Sequence, residues 1–457
     1  MADSATGRRW VFLCAMSGVL GLIVLDETIV AVSLPVITNE LSFYGLSPHW
    51  VVNAFLLSFT CTVAIAGRLG DHFGRRIYFC VGAVLLALAS VLAALAPDGV
   101  TLIVARGLQG IAAAMISPTA FALIRAAFAP EERGVAFGIA TTVGGIFMAS
   151  GPLLGGVLTE TLSWRFIFWI GVPFITLILT LFLFTWSPSY GVQKASSPQK
   201  RRRMDVMGPI LLVVSLLAVV SAVMEGPDWG WLSPVTISLL VLGALGLMAF
   251  VRGELRQASP LIDLRLLRFR TFAGGTVIFA LFQFEKIAVF VFVAQYFQNV
   301  LDRSPIMSGV PVTLAILPTL ITSILIGKAA DRFGSRLTLG VGASIHGAAL
   351  LVLAVTTYWN NYLLALAPLI LWGATMPSIA VAVRRVQMNA LPKSQHGEAG
   401  GINFTIQMLG GTLGFALLSA VLSETDSYGL IFVIVGLATM AIGWIARLSM
   451  EHGTAGH

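Results

Sequence analysis

Five ionisable residues lie inside long apolar runs of the sequence, where charge is rare. They are Asp26, Glu27, Arg106, Glu285 and Lys286. A charge at the centre of a bilayer costs on the order of 2.5–3.5 kcal/mol on insertion scales, so such residues mark ion paths, proton carriers or structural ion pairs. A carboxylate in such a place can bind a proton or a cation without any covalent chemistry. The five residues therefore predict proton or cation handling within a membrane.

The composition indicates that most of the chain faces an apolar environment. Of its 457 residues, 57% are hydrophobic and 11% are charged, whereas about a quarter of a soluble domain is charged. Runs of about 20 apolar residues can cross a hydrocarbon core about 30 Å thick. Fourteen such runs lie near 11–35, 48–67, 77–96, 101–124, 134–158, 165–186, 207–225, 234–251, 272–298, 306–327, 337–357, 362–383, 399–422 and 429–449. We predict an all-α polytopic membrane protein with 14 transmembrane helices.

The basic residues predict the orientation of these spans. All but four of the 28 Lys and Arg residues fall in loops on the side of the N-terminus. Arg165 and Arg303 fall on the other side, and Arg106 and Lys286 lie within spans. Because cytoplasmic loops are rich in Lys and Arg, both termini are expected in the cytoplasm of a multi-pass inner (plasma) membrane protein. The net charge of +7 arises from these loops, so it does not indicate a nucleic-acid partner.

The order of the spans repeats along the chain as six, then two, then six. This order divides the chain into a six-helix bundle (1–187), a basic cytoplasmic loop with two extra transmembrane helices (188–256), and a second six-helix bundle with a short cytoplasmic tail (257–457). Two repeats of six spans are typical of transporters that bind their substrate near the midplane of the membrane.

A loop motif, G-x-x-x-D-x-x-G-x-R, follows the second span and occurs again after the tenth. Its glycines permit a tight turn, and its Asp can occupy a helix N-terminus or pair with an Arg of its own loop or of a neighbour. Such pairs would close the cytoplasmic face; alternatively, the charges only set the topology. Two copies at equivalent positions favour a gate. The gate residues that we expect are Gly67, Asp71, Gly74, Arg75, Arg76, Asp331 and Arg332.

The depth of three charges can be estimated from the rise of a helix. Asp26 lies roughly 22–24 Å from the cytoplasmic start of its span, and Arg106 roughly 8 Å from the opposite end of its own. In a core of roughly 30 Å the two depths coincide, so the pair can form. Glu285 lies roughly 20 Å into the ninth span and is also central. Glu27 points about 100° away from Asp26, so the two cannot face one partner.

Together these motifs resemble the major facilitator superfamily, and within it the 14-helix drug:proton antiporter branch. Residues 25–35 read LDETIVAVSLP, which is similar to the first-helix motif of the branch, with Ala31 where Asn is usual. Residues 106–110 read RGLQG and match its fourth-helix motif R-x-x-Q-G. The core of its fifth-helix antiporter motif is matched, although Phe147 stands where Gly is usual. The matching residues are Gly151, Pro152, Gly155 and Gly156.

This resemblance implies a proton-coupled antiporter that works by alternating access. Asp26 and Glu285 would take up protons from outside, and protonation would loosen the pairing with Arg106 and favour the inward-facing state. Substrate and proton would then compete for the same negative site. Structural ion pairing is the alternative for these charges, for Glu27 and for Lys286. His346, near the middle of the eleventh span, is interpreted as a hydrogen-bonded helix-packing residue, with a role in proton transfer as the alternative.

The expected substrate is a small hydrophobic or amphipathic molecule. Three acids against two bases inside the spans favour cationic drugs or xenobiotics, although Arg106 and Lys286 leave anionic substrates open. The alternative is one physiological lipid, fatty acid or secondary metabolite, exported by the same mechanism. The polar residues that could line the substrate cavity are Asn53, Gln283, Lys286, Asn403 and Gln407.

Other classes of protein are not favoured by the sequence. No G-x-x-x-x-G-K-[ST] loop and no catalytic or metal constellation occurs, so neither an enzyme nor an ATP-driven pump is expected. No cofactor is expected beyond the proton as coupling ion. The lipid bilayer and the substrate are the expected partners, and a monomer is the expected state. The buried carboxylates and the doubled loop motif argue against a non-transporting receptor, which would need neither.

Overall fold

The computed structural model describes residues 2–187, 207–257, 260, 263–392 and 396–449. The basic loop within 188–206 and the tail after 449 lie outside the described residues. Apolar segments form helices because a bilayer offers no hydrogen-bond partners to the backbone. The helices are α1 (Ala2–Glu40), α2 (Trp50–Phe73), α3 (Arg75–Ala94), α4 (Gly99–Ala127), α5 (Arg133–Thr161), α6 (Phe166–Trp169), α7 (Gly171–Thr185), α8 (Met207–Trp229), α9 (Pro234–Arg256), α10 (Arg270–Asn299), α11 (Pro305–Ile316), α12 (Pro318–Phe333), α13 (Ser335–Thr356), α14 (Tyr362–Asn389), α15 (His396–Thr425) and α16 (Tyr428–Ser449).

The number of possible spans agrees with the sequence. Within the described ranges, thirteen helical segments are long and apolar enough to cross a membrane. Helix α2 bends by 57° between Trp50–Val63 and Ile65–Phe73, and it raises the number to fourteen when its two parts are taken as one span. The predicted all-α polytopic fold is therefore confirmed.

Two of the predicted spans are each built from two helices. The sixth consists of α6 and α7, and the tenth of α11 and α12. Pro318 opens α12, and Pro173 lies in the first turn of α7. Proline has no N–H to donate, so the helical hydrogen bonds are interrupted at these points. A hydropathy pattern does not register such breaks.

The first compact unit, Met1–Val206, is organised around α1 and α4. Helix α1 packs along α5 and also touches α4 and α7, while α4 packs on α2 and α3. The start of α4 is capped by Asp98, whose carboxylate accepts a hydrogen bond from the Thr101 N–H over 2.7 Å. This bond holds the pKa of Asp98 below its ordinary value. Residues of α1 and α4 thus share the interior of this unit.

The second compact unit, Met207–His457, is organised around α10. Helix α10 packs on α14, α15 and α16, and α13 packs on α14 and α16. Between Phe282 and Phe297, every residue of α10 except Lys286 is buried. The two extra helices belong to this unit, because α8 pairs with α9 and packs on α15. Trp231, in the loop between α8 and α9, donates to Glu424 Oε1 over 2.9 Å.

Candidate proton and substrate site

Asp26 of α1 and Arg106 of α4 form an ion pair in the interior of the first unit. Arg106 Nη1 lies 2.6 Å from Asp26 Oδ2. The Arg106 side chain is 2% exposed and the Asp26 side chain 19%. The pair that the depths along the two spans allow is therefore present, and its acid is the more accessible partner.

Arg106 is held in place by several further groups. Its Nε donates to the Val51 carbonyl over 2.9 Å, and Nη1 also donates to Gln109 Oε1 over 2.8 Å. Its Cζ lies 4.6 Å from the ring centroid of Phe55. Gln109 in turn donates to Ser90 Oγ over 2.9 Å. A buried charge requires such a set of partners, because its desolvation is costly.

Asp26 also lines a cavity of about 30 Å³ within the first unit. Ser90 and Gln109 contribute polar groups to this cavity, and Phe55 and Phe168 contribute apolar walls. A cavity of this size has room for about two water molecules. The carboxylate therefore has a permanent cation as a partner and, beside it, a small and mostly apolar cavity to which Ser90 and Gln109 add polar groups.

Glu285 of α10 is enclosed in the second unit and has no exposed surface. Its Oε1 lies 3.0 Å from Nε2 of His346 in α13. Trp372 of α14 donates its indole N–H to Oε2 over 2.7 Å. Both partners are fully buried as well. The structure thus places His346, interpreted from sequence as a packing residue, in direct contact with the acid.

Glu27 and Lys286 follow the two central acids in sequence but point elsewhere. Both are half-buried. The Lys286 Nζ lies 6.0 Å from the ring centroid of Phe290. Neighbouring positions on a helix point about 100° apart, so Glu27 and Lys286 are directed away from the acids that precede them.

Comparison with known proteins identifies the family of this membrane chain. A family model for the Major Facilitator Superfamily matches residues 16–282 and 271–454.

The chain belongs to the major facilitator superfamily.

It is therefore a transporter rather than an enzyme. It is 34% identical to the multidrug resistance protein Stp of Mycobacterium tuberculosis, over 88% of this chain and 74% of the relative. It is 35% identical to the puromycin resistance protein pur8 of Streptomyces alboniger, over 91% and 82%. The tetracenomycin C resistance and export protein of Streptomyces glaucescens is 30% identical, over 93% and 78%.

In this superfamily member, both copies of the loop motif turn at a glycine in the left-handed region. Gly74 separates α2 from α3 with φ of 90°, and Gly334 separates α12 from α13 with φ of 83°. Only glycine adopts this backbone conformation readily. Asp71 and Asp331 lie in the last turns of α2 and α12 rather than at a helix N-terminus. Of the alternatives for the Asp, pairing with Arg is the one present.

The two motif copies differ in the Arg with which the Asp forms an ion pair. Asp71 pairs with Arg75 of its own loop at 2.9 Å. In the second copy Ser335 occupies the position of Arg75, and Asp331 pairs instead with Arg385 of α14. Two further basic residues of the predicted gate lie over aromatic rings: the Cζ of Arg76 is 5.7 Å from the ring centroid of Trp186, and that of Arg332 is 5.3 Å from the ring centroid of Phe333.

The glycines of the antiporter motif bring α5 close to the helix that carries Asp26. A Cβ added at Gly151 would lie 1.9 Å from Thr28 Oγ1, and one at Gly155 would lie 2.6 Å from the Ile29 carbonyl. Pro152 and Gly156 are also buried in this interface region, and α5 runs through Pro152 without a break. The motif therefore determines how closely α5 packs beside the acid.

The polar residues expected in the substrate cavity have different surroundings. Asn53 is fully buried in α2. Asn403 is 9% exposed and exchanges two amide hydrogen bonds with Gln387, at 2.7 and 3.0 Å, which join α15 to α14. Gln407 donates to Gln283 Oε1 over 3.1 Å. The Nε2 of Gln283 is buried without a hydrogen-bond partner among the described residues.

Sequence reasoning missed several residues of these sites. Gln109 belongs to the R-x-x-Q-G motif, which gave the signal without its role as the second partner of Arg106. Nothing in the sequence marks Trp372 among ten tryptophans. Outside these sites, the sequence also did not predict the burial of Glu225 of α8 and Glu254 of α9, which are each 1% exposed.

Proposed function

We propose that the chain exports small hydrophobic or amphipathic drugs, most of them cationic, in exchange for protons by alternating access. The observation that carries this proposal is the Asp26–Arg106 pair beside a small cavity that Asp26, Ser90 and Gln109 help to line. A proton on Asp26 removes the negative charge that a cationic substrate needs, so the two ligands exclude each other. Glu285 is proposed as a second proton carrier. The names of the relatives, which are resistance and export proteins, support export of drugs.

The working unit is proposed to be a monomer in the cell's inner (plasma) membrane, with both termini in the cytoplasm. The distribution of Lys and Arg supports this orientation. In each motif copy the pairs Asp71–Arg75 and Asp331–Arg385 are proposed to hold the cytoplasmic face shut and to separate when it opens.

The test is transport by the purified chain in liposomes with an imposed pH gradient. The probes are ethidium, puromycin and tetracenomycin C, and the variants are Asp26→Asn and the control Asp302→Asn. Asp302 is exposed in the loop after α10 with φ of 49°, a conformation that Asn also adopts readily. We expect gradient-driven flux in the parent and the control, and its loss in Asp26→Asn. Flux that is the same with and without the pH gradient, and that an uncoupler leaves unchanged, would contradict proton antiport.

A second candidate is export of a single compound by the same mechanism. Two of the relatives are named for one compound each, puromycin and tetracenomycin C. The same panel separates the candidates, because a multidrug exporter moves several unrelated probes whereas a dedicated exporter moves one or none. Physiological lipids and fatty acids belong in the panel for that reason.

A further inference from the structure

The buried acid of the second unit has a partner that can itself carry a proton. Glu285 and His346 are both fully buried, and the contact between Oε1 and Nε2 is 3.0 Å. An imidazole can gain or lose a proton near neutral pH, whereas a guanidinium cannot. This pair therefore differs in kind from an acid paired with Arg.

Trp372 restricts where the proton of this acid can be. Its indole N–H, which is a donor only, points at Oε2 over 2.7 Å. Oε2 must therefore act as an acceptor in every protonation state. A neutral Glu285 carries its proton on Oε1, the oxygen that faces Nε2 of His346.

Thr375 extends the hydrogen-bond network on the other side of the imidazole. Its Oγ1 lies 2.8 Å from His346 Nδ1, 2.9 Å from the Leu371 carbonyl and 3.0 Å from the Trp372 carbonyl. The hydroxyl has one hydrogen and can also accept. It can donate to the backbone and accept from Nδ1–H, or it can turn and donate to Nδ1.

Each orientation of the Thr375 hydroxyl corresponds to a different number of protons on the Glu285–His346 pair. When Thr375 donates to the backbone, Nδ1 carries a hydrogen and one more proton lies between Oε1 and Nε2, so the pair is neutral overall. When Thr375 donates to Nδ1, the single imidazole hydrogen lies on Nε2 and Glu285 is a carboxylate, so the pair has a charge of minus one. The states differ by one proton, and the heavy atoms need not move.

The position of His346 is determined by close helix packing. A Cβ added at Gly342, one turn before it, would lie 2.0 Å from Ser378 Oγ of α14. A Cβ at Gly347 would lie 2.8 Å from the Gly436 carbonyl of α16. Glycines on both sides thus let α13 approach two neighbouring helices, and they hold the imidazole against the acid.

No other described charge lies at this level on the helices packed against the pair, apart from Lys286. That side chain follows Glu285 directly on α10 and lies near Phe290. Helix α11 has no ionisable residue. At 1.5 Å per residue, the other ionisable side chains described on these helices lie roughly 10 Å or more away along their helix axes. They are Arg270 and Tyr296 of α10, Arg336 of α13, Tyr362, Arg384 and Arg385 of α14, Glu424 of α15, and Tyr428 and Arg447 of α16.

We propose that Glu285 and His346 jointly hold one exchangeable proton, shared between Oε1 and Nε2, and that Trp372 and Thr375 position it. Its role in coupling rests on the proposed antiport. On release, the shared proton settles on Nε2 and the hydrogen on Nδ1 leaves the pair, so that Glu285 keeps the negative charge and the Thr375 hydroxyl turns to donate to Nδ1. Because the pair is buried in this conformation, exchange with water belongs to another conformation.

The first test needs no substrate. Infrared difference spectra of the purified full chain are recorded as a pH titration for the parent, His346→Gln, Glu285→Gln and the control His49→Gln, which changes a loop histidine before α2. We expect the carboxylic acid band that Glu285→Gln removes to titrate at a different pH in His346→Gln and at the parental pH in the control. An unchanged midpoint in folded His346→Gln overturns the proposal.

Two smaller substitutions, both at Thr375, test the proposal if His346→Gln does not fold. Thr375→Val keeps the shape of the side chain but removes the hydroxyl, and Thr375→Ser keeps the hydroxyl. We expect the first to shift the titration of the Glu285 band and the second to leave it near that of the parent. A band that is the same in both variants overturns the proposal.

The second test separates this proposal from the proposed function. Proton release on adding ethidium or puromycin is measured for the parent, both single variants and the Glu285→Gln/His346→Gln double variant. We expect both single variants to lose the same part of the release, and the double variant to lose no more, because one shared proton is removed. If the two single variants lose separate parts of the proton release, and these parts add up in the double variant, the proposal of a shared proton is overturned. No release from the parent contradicts antiport with these probes, while the infrared titration still decides whether the pair shares a proton.

Discussion

The two central acids of this transporter are buried in different ways. Asp26 has a permanently charged partner, Arg106, and remains 19% exposed beside a cavity. Glu285 has no exposed surface, and its partners are an imidazole and an indole. The guanidinium beside Asp26 stays charged whether or not the acid takes up a proton, whereas the imidazole beside Glu285 can share a proton with its acid. The difference teaches that one chain can hold a buried carboxylate either beside a permanent cation or beside a partner that can itself carry a proton.

Removal of each partner should produce the largest difference between the two sites. Arg106→Met leaves Asp26 without its counter-charge, and we expect a loss of about 3–5 kcal/mol in unfolding free energy. His346→Leu leaves Glu285 able to take a proton, and we expect about 1–3 kcal/mol. Unfolding in mixed detergent micelles measures both values. Asp26→Asn should recover part of the loss in Arg106→Met, and equal losses at the two sites would remove the distinction.

Glycine substitutions beside the two acid-bearing helices should have the next largest effect. A Cβ at Gly410 of α15 would lie 2.3 Å from the Ala280 carbonyl of α10, which is backbone and cannot rotate away, whereas one at Gly151 would meet the Thr28 side chain. We expect losses of about 1–3 kcal/mol, with Gly410→Ala the larger.

Matched controls exist on the same helices. Gly144 of α5 and Gly400 of α15 have open space at the Cβ position, so Gly144→Ala and Gly400→Ala should leave the unfolding free energy nearly unchanged. Thr28→Ala removes the nearest clash and should rescue Gly151→Ala. A failure of that rescue would show that the α1–α5 contact is limited by backbone as well.

The caps of the fourth helix of each six-span repeat should differ in their dependence on pH. Asp98 caps α4, and Asn361 caps α14 by accepting from the Leu363 and Leu364 amides. Because the pKa of Asp98 is lowered in the folded state, its contribution is present above the ordinary carboxyl range and is lost as pH falls through the folded pKa. The difference in Tm between the parent and Asp98→Ala should shrink on acidification. The difference for Asn361→Ala should stay constant, and parallel behaviour would contradict the assignment.

The gate pairs should have the smallest effect on stability. Asp71–Arg75 and Asp331–Arg385 are exposed pairs, and such pairs contribute about 0.2–1 kcal/mol. Arg75→Gln acts within one loop, while Arg385→Gln removes an ion pair between α14 and α12, so we expect the second to change the transport rate more. High salt should mimic both variants, because exposed charges are screened. If the transport rates of the two variants remain as sensitive to salt as that of the parent, this would argue against a gate made of these pairs.

Much of the fold follows from local sequence, because a bilayer imposes simple rules. The length of each apolar run gives the helices, and the positions of Pro318 and Gly334 explain where they break or turn. Helical rise alone places Asp26 and Arg106 at one depth and so allows their pair, which the structure then shows. The broken sixth and tenth spans were not predicted, since hydropathy averages over the hydrogen bonds that a proline interrupts.

The sequence by itself thus determined the membrane class, the span count, the repeated loop and the level of each buried charge. Only the tertiary structure decided which partner each charge has. His346 and Trp372 reach Glu285 across 61 and 87 residues of sequence, and Asp331 finds Arg385 across 54. Helical period tells which way a side chain points on its own helix, but the neighbour that it meets depends on how helices approach one another. That approach depends on local packing such as Gly342 against Ser378, which no periodicity in one segment contains.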